Sequence, residues 1–195
     1  MFTGIIRKTG KIKKIEDRKG KIYFIIGVED FFKETKVGDS VSCDGTCLTV
    51  VKSKKDSFQV ELMPETLKLT KFKDSHKGDL INLELSMKIG QRLDGHFVMG
   101  HVDGVGEVKK IIREGEYISL IIKVPKKLIK YLAYKGSVSV NGVSLTTAGV
   151  GKDWFKVCLI THTLKVTNLS KLKVGDKVNI EADMIAKYLE QLLKS

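Results

Sequence analysis

The sequence predicts an all-β chain: two small closed barrels of six strands each in tandem, Greek-key-like, followed by one C-terminal helix. Three observations carry that prediction. The chain repeats itself at a fixed spacing. Each copy holds short runs with strand character, and a final segment breaks the repeat with a stripe of apolar residues at helical spacing.

The repeat comes first. The loop "DGTCLTV" (44–50) returns as "NGVSLTT" (141–147), which puts Cys47 and Ser144 97 residues apart. "ELMPETLKLT" from position 61 and "CLITHTLKVT" from 158 share that spacing, and so do "KGDLINLE" from 77 and "VGDKVNIE" from 174. Carried to the start of the chain, it sets Thr3-Gly4-Ile5 opposite Gly100-His101-Val102. Independent loops sharing one offset identify a tandem duplication, roughly 1–86 and 98–183, joined by "MKIGQRLDGHF". A unit this long exceeds a solenoid repeat, so each copy is expected to be a domain. The expected domains are 1–97 and 98–183, with a terminal helix over 184–195.

Within each copy the strand signals follow in order. "KIYFIIGV", "SVSCDGTCLTVV", "SFQVELM" and "LINLEL" are rich in Val, Ile, Phe and Thr and bounded by Gly, Asp or Lys clusters. The "VGD" and "KGD" triplets read as turns before strands. About six short strands in fewer than about 90 residues favour closure, which removes edge strands. "PKKLIKYLAYKG" reads as a helical insertion in the second copy, with "FFKETKVGD" as its shorter counterpart. In the tail, Ile185, Leu189 and Leu192, flanked by Met184, Tyr188 and Leu193, form the apolar stripe, and Asp183 stands where an N-cap belongs. So short a helix needs a surface to dock on, its own barrels or other copies of the chain.

Bulk composition narrows the function classes. Hydrophobic residues make up 42% of the 195, enough for a core, and two prolines with no low-complexity run argue against disorder. Apolar runs such as "YISLIIKV" are strand-sized and too short to span a membrane, and "MFTGIIRKTG" is too short and polar for a secretory signal. Three cysteines, an odd number, fit a reducing cytoplasm better than a disulfide framework. The net charge of +12 raises the question of a nucleic-acid partner. The lysines are scattered among acids, however, and no basic stretch carries interleaved aromatics to stack bases. The charge reads as a solvated surface, or as attraction for a small polar or anionic substrate.

Taken together, "MFTGII", "DGTCLTV", "MPETL", "GHFVMGHVDG", "NGVSLT" and the matching ends of both halves resemble the riboflavin synthase family, of the alpha-chain type, over the whole chain. The resemblance implies two barrels that each hold one 6,7-dimethyl-8-ribityllumazine. It implies transfer of a four-carbon unit between the two lumazines, giving riboflavin and 5-amino-6-ribitylaminopyrimidinedione, with no metal and no redox cofactor. It also implies homotrimers formed through the terminal helix. The reacting pair then meets between the N-terminal barrel of one subunit and the C-terminal barrel of a neighbour. The duplication gains a reason: two identical molecules play donor and acceptor, and differences between two related pockets assign the roles.

By that resemblance the candidate catalytic residues are Cys47, His101, Ser144, Ser40 and Asp183. Cys47 could add to an electrophilic ring carbon or hydrogen-bond the ring's polar edge. His101 suits removal of a proton from an acidic ring methyl. Asp183 could cap the helix or touch the site. The ring-binding positions implied are Gly4, Ile5 and Ile6; Cys47, Leu48 and Thr49; Glu61, Leu62, Met63, Pro64, Glu65 and Thr66; Gly100, His101 and Val102; Lys135; Ser144, Leu145 and Thr146; and Cys158, Leu159, Ile160, Thr161, His162 and Thr163. His162 stands where the first copy has Glu65, a departure from the acid usual in the family.

Read without the resemblance, Cys43 and Cys158 fit small buried hydrophobes. Cys43 and Cys47 lack a second pair for zinc. His96 and His101, five apart, do not have the spacing of helical metal ligands, and His76 reads as surface. The competing functions are a non-catalytic lumazine or flavin binder of the same fold, an RNA-binding barrel, and a flavin-reductase barrel. Charge alone favours the second. The third lacks a glycine-rich phosphate loop.

Overall fold

A computed structural model of the chain describes residues 1–28 and 35–194. The first barrel is built from β1 (Lys8–Arg18), β2 (Lys21–Gly27), β3 (Ser40–Cys43), β4 (Thr46–Lys54), β5 (Ser57–Leu62) and β6 (Leu80–Leu85). They pair antiparallel in the order β1-β2-β5-β4-β3-β6, and β6 returns to β1 to close the ring. The second repeats the order with β7 (Gly104–Glu114), β8 (Tyr117–Lys123), β9 (Ser137–Val140), β10 (Val143–Val150), β11 (Trp154–Leu159) and β12 (Lys177–Ala182). Bulges bend the first strand of each copy, between Ile12 and Lys14 and between Val108 and Lys110. They supply the curvature that closure demands.

The period-two alternation sets which side chains face inward. Along β4, Leu48 and Val50 are buried while Cys47, Thr49 and Val51 point outward; along β11, Phe155, Val157 and Leu159 are buried and Cys158 is exposed. Cys158 is therefore no buried hydrophobe, contrary to expectation: its place in the alternation turns it outward, 3.4 Å from Ser119 Oγ. Phe24 and Phe72 meet edge to face inside the first barrel, at 5.5 Å. The second core takes in Ile6, contributed by the N-terminal segment.

The helices differ from expectation in detail. "MPETL" opens α1 (Pro64–Leu69), and "ITHTL" opens α3 (Thr161–Val166). Pro64 occupies the first turn, where its missing N–H costs nothing. The insertion after β8 contains a single helical turn, α2 (Lys126–Ile129), and the first four residues of "FFKETKVGD" lie outside the described residues. The tail forms α4 (Met184–Leu193), capped by Asp183, whose Oδ1 accepts the Ile185 N–H at 2.9 Å.

The repeat offset is not constant. From β3 and β9 onward it is 97, but Gly4 pairs with Gly100, and Thr3 with Met99. Gly4 N donates to Glu84 and Gly100 N to Glu181, each at 3.0 Å, with φ of +75° and +80°. The opening of the chain is thus in register one residue earlier than expected: Thr3-Gly4-Ile5 corresponds to Met99-Gly100-His101. The second copy carries the extra residue between its second and third strands.

The barrels dock through their matching turns. A Cβ on Gly142 would lie 2.6 Å from Gly45 N, so the two glycine turns touch backbone to backbone. Around them Asn82, Asn141, Asn168 and Asn179 exchange buried hydrogen bonds with one another and with Asp44. Burial pushes the Asp44 carboxyl up, and Lys71, 2.8 Å away, opposes that shift. Gly142→Ala should lower unfolding stability by about 2–4 kcal/mol in a urea titration, because it adds a clash to a left-handed φ of +79°.

Candidate active site

Two segments cross between the barrels and border the candidate sites. The start of the chain and the linker run antiparallel, Phe2 N to Val98 O at 2.7 Å and Val98 N to Phe2 O at 3.1 Å. Glu84 of the first barrel grips Thr3 and Gly4, accepting from Thr3 N at 2.7 Å, Thr3 Oγ1 at 2.6 Å and Gly4 N. Gly4 O then accepts the Ser144 N–H of the second barrel at 2.8 Å. In mirror fashion, Glu181 of the second barrel accepts from Met99 N at 2.7 Å and from Gly100 N, and Gly100 O accepts the Cys47 N–H of the first barrel at 2.9 Å. Each half therefore completes the other's site. A Cβ on Gly100 would lie 2.6 Å from Cys47 Cβ, and one on Gly4 the same distance from Ser144 Cβ. Only glycine permits either approach.

The first site collects the outward residues Cys47 and Thr49 of β4 with the segment Gly100-His101-Val102. Ser40 faces Thr49 across the β3–β4 pair, and pairing places both on the outer face. Leu48 and Leu62 lie beneath in the core. Glu61, on the outer side of β5, is 3.5 Å from Lys21 and hydrogen-bonds the Tyr23 phenol. Met63 is exposed, and Pro64, Glu65 and Thr66 form the first turn of α1.

The second site collects Ser144 and Thr146 of β10, above buried Leu145 and Leu159, with Gly4-Ile5-Ile6. Exposed Cys158 and Ile160 follow along β11, and Thr161, His162 and Thr163 open α3. Glu65 and His162, the unlike pair, both sit on exposed first turns. Lys135 holds a left-handed φ of +64°, donates its N–H to Thr147 O at 2.8 Å, and lays its ammonium over the Tyr134 ring.

The chemistry of the two sites is unequal. His96 Nδ1 lies 2.7 Å from Ser144 Oγ, and the residue is only 8% exposed. Burial holds His96 below its usual pKa, so it stands neutral, while the nearby charge of Asp183 opposes that shift. Its Nε2 has no hydrogen-bond partner among the described residues. A neutral imidazole against a hydroxyl, with a carboxylate to stabilise the protonated form, is an arrangement able to take and return a proton. The first site has a thiol in place of Ser144 and, from the crossing segment, exposed His101 in place of Ile5.

Comparison with known proteins agrees with this doubled geometry. The lumazine binding domain family matches the chain twice, over residues 3–86 and 99–183. Riboflavin synthase of Bacillus subtilis is 41% identical over 193 residues, spanning 99% of this chain and 90% of that protein. The chain belongs to the riboflavin synthase family. Riboflavin synthase of Photobacterium leiognathi is likewise 41% identical, over 100% of this chain and 89% of its own length. Among solved structures, LumP complexed with riboflavin superposes with a TM-score of 0.87 at 28% identity, over 93% of this chain and 99% of that one. LumP complexed with 6,7-dimethyl-8-(1'-D-ribityl) lumazine superposes at 0.85 and 27%, with the same coverage.

Three residues that shape the two candidate sites escaped the sequence reading: His96, Glu84 and Glu181. The glutamates left a signal, since "NLE" and "NIE" put a charge at the same strand position in both copies. His96 left none, because it lies between the two repeated segments.

Burial raises both glutamates, Glu181 to about 7, even though two backbone N–H donors and Lys187 counteract the shift. A carboxyl raised in the folded state contributes stability that is complete below its unfolded value, near 4.5, and is lost as pH rises through about 7. The loss is at most about 3 kcal/mol. The fall in stability between about pH 5 and about pH 8 should shrink by that order in Glu181→Gln, measured by denaturant titration at both pH values.

Proposed function

We propose that this chain converts two molecules of 6,7-dimethyl-8-ribityllumazine into riboflavin and 5-amino-6-ribitylaminopyrimidinedione, as a transferase. The observation that carries this reading is one binding framework built twice in a single chain, with Cys47 in one copy and the Ser144–His96 pair in the other. A four-carbon unit leaves one lumazine and joins the other. The atoms of two lumazines equal those of the two products, so the reaction draws on no external oxidant or reductant. Each pocket presents strand-edge amides and hydroxyls to a flat ring rich in donors and acceptors. Cys47 serves one ring as nucleophile or hydrogen-bond partner, and His96 with Ser144 moves a proton at the other. Holding the two rings face to face supplies a proximity term of several kcal/mol.

The two rings meet, on this reading, between barrels of neighbouring chains in a homotrimer. Support comes from α4, whose Ile185, Tyr188, Leu189, Leu192 and Leu193 are all more than half exposed. An apolar face of that size calls for cover. No helix among the described residues is long and apolar enough to cross a membrane, and we place the enzyme in the cytoplasm.

The likeness to LumP supports a second reading, a lumazine or flavin carrier without turnover. Incubating the purified chain with dimethylribityllumazine in EDTA separates the two. One riboflavin for every two lumazines consumed supports the enzyme, whereas tight binding with no product supports the carrier.

A further inference from the structure

We propose that Lys187 of α4 is a positioning residue for the first site: through Asp103 it fixes the segment that sets His101 beside Cys47. Lys187 Nζ lies 2.9 and 3.0 Å from the two Asp103 carboxylate oxygens. The two side chains are only 28% and 19% exposed, so water screens the pair less than a surface pair. Asp103 is held from the barrel side as well. Its Oδ2 accepts the Ala182 N–H at 2.9 Å, and its own N–H donates to Ile180 O at 2.8 Å.

Four residues upstream, Met99 is pinned by Glu181, as is Gly100. The segment from Met99 to Asp103 is thus fastened at both ends. Gly100 O accepts the Cys47 N–H in between, and exposed His101 follows it directly. A short backbone span tied at two points has little freedom, and freeing one tie lets the intervening residues drift. Displacements of about 1 Å at a reacting centre cost rates of up to about a hundredfold.

The corresponding segment at the second site has no such clamp. The residue matching Asp103 is Arg7, a cation, which bears on Glu84 through its charge. Its N–H reaches Leu83 O at 3.4 Å, longer than the 2.8 Å at Asp103. No helix follows β6, whereas α4 follows β12 directly. Of the two crossing segments, the described residues tie to the terminal helix the one that faces the thiol. If α4 is also the assembly surface, the same helix turn links subunit contact to the first site.

The rate readout of this inference rests on the proposed reaction; the structural readout does not. Amide hydrogen exchange of the full-length protein, read at Cys47 and Ser144, provides the latter. Cys47 donates to Gly100, inside the clamped segment, and Ser144 donates to Gly4, outside it. In Lys187→Met, exchange at Cys47 should rise about tenfold or more while Ser144 stays unchanged. Turnover of dimethylribityllumazine should fall by a similar factor, and Lys187→Arg should recover both. Unchanged exchange at Cys47, or equal loosening of both amides, would overturn the proposal. If Lys187→Met sediments differently from the parent, Asp103→Asn removes the clamp from the segment side and is held to the same two outcomes. A parent protein without turnover would sink the enzymatic reading and leave the exchange test standing.

Discussion

Leu189→Asp will abolish turnover while each barrel keeps its capacity to bind lumazine. Leu189 lies mid-stripe on α4 and is 54% exposed in the single chain. The helix is ten residues long, too short to hold itself in water, so packing must supply its stability. Within the chain, α4 is fastened by the Lys187–Asp103 pair and by Lys130 against Glu190, while its apolar stripe remains uncovered. In the proposed assembly a carboxylate in the centre of the α4 contact is desolvated in every copy, each at a cost of several kcal/mol if unpaired. Assembly should fail, and with it the facing of two pockets from neighbouring chains. Sedimentation and turnover on one preparation check this. A fully active monomer would mean that both rings meet within one chain.

Cys47→Ser should reduce kcat by about a hundredfold or more, with folding and lumazine affinity little changed. The substitution copies the second site's atom into the first, and the loop geometry already accepts either residue. Cys47 N and Ser144 N make equivalent hydrogen bonds, at 2.9 and 2.8 Å, to equivalent glycines. The two side chains therefore differ in chemistry rather than in placement. A thiol is the better nucleophile and forms a thiolate far more readily than a hydroxyl forms an alkoxide. Steady-state kinetics beside a fluorescence titration of lumazine separate loss of rate from loss of binding. Full kcat would make Cys47 a packing residue.

The parts of this molecule that were readable in its sequence are those fixed by local pattern. The strands show as alternation, the turns as glycine and aspartate, and the duplication as a recurring spacing. What escaped depends on long-range geometry. The crossing of residues 1–7 and 95–103 between barrels leaves no periodic trace, and the one-residue shift in repeat register arises away from it, between the second and third strands of the second copy. His96 is placed by that crossing, through its N–H to Thr3 O at 3.2 Å, and so its approach to Ser144 could not be read from spacing. The resemblance pointed to His101. The fold brings that residue to the Cys47 side, exposed, and sets the buried histidine at the other site. α1 and α3 were missed because six residues are too few to display a helical period.

The central claim is that two unequal sites on neighbouring chains form one reaction centre. Mixing Cys47→Ser with Ser144→Ala tests it most directly. Each variant alone should be nearly inactive, having one damaged site in every pair. After dissociation and reassembly of an equal mixture, about a quarter of the junctions join an intact Cys47 site to an intact Ser144 site. The account predicts that turnover returns to about that fraction of the parent's. Mixed assemblies, verified by mass, that stay as inactive as the separate variants would contradict it.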